Sequence, residues 1–201
     1  MTTLLAPIME AKPEQYVAFM VNNQTLMTTW HLFIYLVAGV CIVPLALALH
    51  ARFENNKLAW TTIATAFGLI WAVTVISSGM LLVNNAKIIA DFYKEDPTRA
   101  ITIYQTLSAV ERGLGGAIEL PGGIWIFLVS WVALQAKQLP KLLNYLGLVI
   151  GFCGIMTSFP VLYNLGWVFG LGAILWFIGV GTALLREAPS ATGQLRQDRQ
   201  F

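Results

Sequence analysis

Apolar side chains along this chain run in long unbroken blocks instead of stripes. Blocks at about 30–53, 58–83, 114–136, 142–162 and 163–185 match the roughly 20 helical residues needed to cross a hydrocarbon layer about 30 Å thick. No alternation of period two runs through them, and barrel strands need only about 10 residues each, so the blocks read as helices. The expectation is an all-α, polytopic transmembrane helical bundle of about five spans over residues 30–186. An extracytoplasmic surface segment, 1–29, precedes it, and a flexible polar tail, 187–201, follows.

The polar stretches between the blocks predict the remaining elements. Residues 13–29 open on Pro13 and mix Tyr16, Val17, Phe19, Met20 and Leu26 with Glu14, Gln15, Asn22, Asn23 and Gln24. That composition suits a short interfacial helix, with an extended arm across the bundle ends as the alternative. Residues 84–110 form an external excursion. Its Asp91–Pro97 segment ends in a helix-start signal, and Thr98–Val110 reads as an amphipathic helix running into the third span. A neutral, Pro/Asn/Gly-marked turn at Phe159–Gly166 separates the last two spans.

Composition turns the helical reading into a membrane one. The 201 residues are 57% hydrophobic and 11% charged, with a mean hydropathy of +0.70, whereas charged residues make up about a quarter of soluble proteins. Met1–Ala11 lacks the basic and apolar regions of a cleavable signal peptide, so the first span is expected to be the anchor. Lys and Arg are richer beside Arg52, Lys57, Lys137, Lys141 and the tail than in the alternate loops. Basic loops stay in the cytoplasm. The expected placement is therefore a multi-pass inner-membrane protein with its N-terminus outside and its C-terminus in the cytoplasm.

A net charge of +2 and the lack of a Gly-rich loop joined to Lys-Ser/Thr argue against nucleic-acid and nucleotide binding. Cys41 and Cys153 fall inside spans and suggest no disulfide framework. His31 and His50 are the two histidines and sit 19 residues apart on one helix, about 28 Å. They cannot share a ligand, so a haem would need a Met or a partner subunit for its second ligand; a metal held by His31 with Glu111 and Glu119 is the minor alternative, unsupported by any motif spacing, and the expectation is no cofactor and no metal.

The candidate chemistry gathers at Glu111–Gly123, where charge and helix breakers enter an apolar segment; ionisable groups are costly there. On a continuous helix Arg112 and Glu119 fall within about 20° of one face. Pro121 with Gly122-Gly123 is expected to kink that helix and open space beside Glu119. His31, Tyr35, Asn84, Glu111, Arg112 and Glu119 then form a candidate binding constellation at one end of the bundle. Arg112 pairing with Glu119, or snorkelling to the headgroups, is the competing structural reading. Gly147 with Gly151, and Gly166 with Gly170, are the candidate helix-packing pairs.

Gly116-Ala117-Ile118-Glu119, Gly123-Ile124-Trp125, Leu139-Pro140-Lys141, Leu146-Gly147 and Gly151 together resemble a family of uncharacterised bacterial multipass inner-membrane proteins. The resemblance covers about residues 113–155 and implies a membrane bundle with no established activity. Two functional classes follow. The favoured one is an accessory or assembly subunit that packs against membrane partners or a second copy. The alternative is small-molecule or lipid handling, as a transporter component or membrane enzyme, through a polar cavity around Glu119.

Overall fold

The computed structural model describes residues 12–113 and 119–187, without the side chains of 54–58 and 187. Residues 1–11, the Leu114–Ile118 part of the charged stretch and the tail beyond 187 therefore lie outside it. Most of the described residues are helical, with no strand among them. In order they are α1 (Pro13–Asn22), α2 (Gln24–His31), a π-helical stretch (Leu32–Val37), α3 (Ala38–Glu95), α4 (Pro97–Glu111), α5 (Leu120–Ala136), α6 (Lys141–Met156), a 3-10 turn (Pro160–Leu162) and α7 (Leu165–Glu187).

Helical backbone continues through all 58 residues of α3, yet the element is a hairpin. His50 Nδ1 lies 2.9 Å from Thr65 Oγ1, and a Cβ on Gly68 would meet Ala46 at 3.1 Å. The two arms are thus antiparallel, and the chain reverses near 54–58. Three stretches are long and apolar enough to cross a membrane: Gln24–Phe53, Ala59–Glu95 and Leu165–Arg186. The apolar α5 and α6 have 17 and 16 residues, about 25 Å each.

The arms of α3, then α5, α6 and α7, pack side by side, each antiparallel to the one before. Their centre is aromatic. Trp71 and Trp125 have ring centroids 5.7 Å apart, Trp125 and Trp176 5.8 Å, and Phe169 and Phe177 close the group against Trp71. Tilted and edge contacts of this kind add to the burial of the rings themselves.

Small residues set the helix spacing. A Cβ on Gly123 would stand 2.6 Å from Ile155 N and 2.8 Å from Gly151 O, so α5 and α6 touch backbone to backbone. Gly147 and Gly151 face α5 in the same seam, against Ser130 and Phe127. Gly166 and Gly170 make no close packing within the chain: among the described residues Gly170 has nothing within 4 Å and Gly166 only a methyl at 3.9 Å. On α7 that work falls to Gly172 against Ile150 and Gly179 against Leu143.

The second arm of α3 does not stop near residue 83. It continues to Glu95, so its last turns project past the bundle and carry a separate helical cap. There Val17 and Met20 of α1, Met27 of α2, Ala86 and Ile89 of α3 and Ala100 of α4 form a second apolar core. Residues 13–22 are thus a helix and not an extended arm, buried through Val17 and Met20. After Asp96 the chain restarts with Pro97 in the first turn of α4, and the Asp96 carboxylate accepts from Thr98 N and Arg99 N at 2.9 and 3.1 Å. That is a capping arrangement the sequence signals directly.

Candidate functional site

Between the cap and the bundle lies a recess walled by four helices. Tyr16 and Met20 come from α1, His31 from α2, Leu82, Asn85, Ala86 and Ile89 from α3, and Tyr104, Leu107, Ser108 and Glu111 from α4. The cavity is about 20 Å³, room for about one water molecule. Tyr16 and Tyr104, both in its wall, stack on each other with centroids 5.2 Å apart.

Two of its walls hold groups that burial penalises. His31 is only 6% exposed, and its Nδ1 has no hydrogen-bond partner. Glu111, at the last turn of α4, is 9% exposed, and its carboxylate makes no hydrogen bond or ion pair among the described residues. Burial pushes that carboxyl above its ordinary value, while the exposed Arg112 guanidinium pulls it partly back. Burial likewise lifts the Tyr16 phenol to about 12, with Tyr104 and Glu111 adding to the effect. Desolvation opposes the charged form in each case.

Below the recess the chain enters the bundle through a second polar cluster. Glu119 occupies the position before α5 with φ −85° and ψ 26°. Its backbone N–H donates to Thr157 Oγ1 at 2.9 Å, and the Thr157 hydroxyl donates to Gly154 O at 2.6 Å. The Trp71 indole N–H donates to the Glu119 carboxylate at 3.2 Å. The carboxylate thus sits at the positive N-terminal end of α5, held by α3 on one side, while its backbone is held by α6 on the other. Tyr35 lies between the two levels: its ring is 6.1 Å from that of His31, and both Glu111 and Glu119 act on it electrostatically. Tyr35 also sits inside the π-helical stretch Leu32–Val37, a backbone form that recurs at functional sites.

The profile of one family covers residues 2–185, nearly the whole chain. The chain belongs to this family, described as a domain of unknown function (DUF4386). No curated protein and no solved structure matches it.

Of the residues that the sequence proposes for a site in this DUF4386 chain, His31 and Glu111 share the recess, and Tyr35 and Glu119 lie along the route beneath it. Asn84 and Arg112 do not join them. Asn84 is exposed and donates to Met80 O at 2.8 Å, and its neighbour Asn85 lines the recess instead. Arg112 is exposed at the end of α4. No single helix carries Arg112 and Glu119: Arg112 continues the helical backbone after α4, whereas Glu119 is not helical.

Among the described residues, nothing opens at Pro121 either. Pro121 lies in the first turn of α5, where a proline ring is tolerated. Gly122 admits the Trp71 ring and Gly123 the backbone of α6, so both glycines close space. The recess forms higher, under the cap. The sequence did not point to Tyr104 and Thr157, and it offered Tyr16 only as part of the N-terminal helix, because their roles arise from pairings between distant helices. No group of three metal-ligating side chains occurs among the described residues.

Proposed function

We propose that this DUF4386 chain is a multipass integral membrane protein, with five helices crossing the bilayer, that binds a small polar ligand in the recess beneath its helical cap. One observation carries the reading: the nearly buried His31, with an unpartnered Nδ1, shares a cavity with the nearly buried Glu111. Leaving the buried His31 Nδ1 unsatisfied costs roughly 1–3 kcal/mol, and a ligand that supplies its partner offsets the cost. Convergent polar groups in an apolar-walled recess are the usual form of a small-molecule site. The crossing of α5 and α6, each about 25 Å long, is supported by their apolar composition and by seats between longer helices, with a local thinning of the bilayer.

The test is native mass spectrometry of the protein released from its own membranes. Wild type is expected to carry a small-molecule mass that the His31→Phe, Glu111→Gln double variant lacks while keeping wild-type helix content by circular dichroism. Equal bound mass in both proteins, or none in either, contradicts the reading. A co-released polypeptide in place of a small molecule supports the accessory-subunit reading instead.

A further inference from the structure

We propose that the recess takes a protonated primary amine, seated with its ammonium group against Glu111 and its carbon chain along the apolar wall. The inference rests on the recess being a ligand site and names the chemistry of that ligand. Size comes first. The recess is partly open and has room inside, about 20 Å³, for a group the size of a water molecule, so the head enters it and the carbon chain runs out along its mouth. An ammonium head has that size; a trimethylammonium head does not.

Charge and donor count come next. Glu111 is the one ionisable carboxyl in the wall, and no Lys or Arg lines it. An anion in the recess meets the like charge of Glu111, whose one acting cation, Arg112, lies exposed outside the wall, and a neutral hydroxyl adds no charge to balance the carboxylate. An ammonium group has three N–H donors and no acceptor. The wall offers it the Glu111 carboxylate, the free His31 Nδ1 in its Nε2-protonated tautomer, and the Ser108 hydroxyl. The stacked Tyr16 and Tyr104 rings, also in the wall, present the aromatic surface that attracts ammonium ions. The upward push that burial exerts on the Glu111 carboxyl is the condition a bound cation relieves. Leu107 and Ile89 supply the apolar side for the carbon chain.

A primary ammonium arrives either free in solution or on an aminophospholipid headgroup, and the experiment separates the two. The full chain is reconstituted in nanodiscs of phosphatidylcholine, with or without phosphatidylethanolamine, and its melting temperature is followed against added ethanolamine, choline or acetate. Stabilisation by ethanolamine in pure phosphatidylcholine supports a soluble amine, and stabilisation by phosphatidylethanolamine alone supports the headgroup. Either is expected to weaken about tenfold or more in Glu111→Gln, the loss of one charge-assisted hydrogen bond. A second variant, Tyr104→Leu, removes the aromatic wall and is expected to weaken the same response. Stabilisation by choline or acetate in place of the amine overturns the ligand class while leaving the site intact. An equal response in wild type and both variants, or no response to any probe, overturns the proposal, and the second of these removes its support from the site as well.

Discussion

Replacing Gly123 with Ala puts one methyl group into the backbone contact between α5 and α6. The new Cβ would stand 2.6 Å from Ile155 N, 2.8 Å from Gly151 O and 2.8 Å from the Gly154 carbonyl carbon, all short of the 3.4 Å of ordinary contact. All three neighbours are backbone atoms, so no side chain can rotate away, and the helices must move apart by well over half an ångström. Overpacking of this kind costs about 1–3 kcal/mol, and the rigid surroundings place it near the top of that range. The better helix propensity of Ala returns about 0.5–1 kcal/mol, leaving a net loss of about 2 kcal/mol. For a chain of this size that lowers the melting temperature by about 4–8 °C.

Gly170→Ala is the matched control, because nothing lies within 4 Å of its Cβ position. It keeps only the propensity gain and is expected to raise the melting temperature by about 1–4 °C. Circular dichroism melts of both variants in one detergent decide the matter. If G123A melts with wild type, or G170A loses as much as G123A, the packing argument fails.

Glu111 predicts a pH dependence. Its folded-state pKa is raised by burial, so the folded protein holds this proton more tightly than the unfolded chain. That contribution is fully present below the ordinary carboxylate value of 4.5 and is lost as pH rises through the folded pKa. Glu111→Gln should therefore gain stability relative to wild type between pH 4.5 and neutrality, and a difference that stays constant across that range would count against the burial. Thr157→Val strands the Glu119 N–H and costs roughly 1–3 kcal/mol, while Thr157→Ser restores the bond; exchange of the Glu119 amide reads both directly. Asp96→Ala removes the cap of α4 at a cost of about 1 kcal/mol. Because that end is exposed, the effect should appear as faster amide exchange across residues 98–103, with Asp96→Asn close to wild type.

The sequence exposed the apolar helices most clearly, because lipid selects for unbroken hydrophobicity that composition alone reveals. It also announced the start of α4 at Asp96-Pro97 and the break around Phe159–Gly166, since proline and capping side chains act locally. The projecting end of α3 was hidden for a physical reason. Residues 84–95 are polar enough to read as a loop, and only packing of Ala86 and Ile89 against α1 and α4 keeps them helical. The site was partly legible for the same reason. His31 and Glu111 stood out as ionisable groups beside apolar runs, but the recess depends on the Tyr16–Tyr104 stack, which joins residues 88 positions apart. The Gly122-Gly123 pair misled because a helix breaker and a close-packing residue look identical in one dimension. The difference lies in Trp71 and α6, which fill the place of the missing side chains.

The claim on which the account rests is that lipid surrounds the bundle and water surrounds the cap. Spin labels placed singly at Phe152 and Ile174, both exposed on the bundle, and at Asp91 and Thr102 on the cap test it directly, in a background with Cys41 and Cys153 replaced by alanine. In liposomes the first two labels should be relaxed by oxygen and shielded from a water-soluble nickel chelate, and the last two should show the reverse. Nickel access at Phe152 and Ile174 equal to that at the cap would contradict the account.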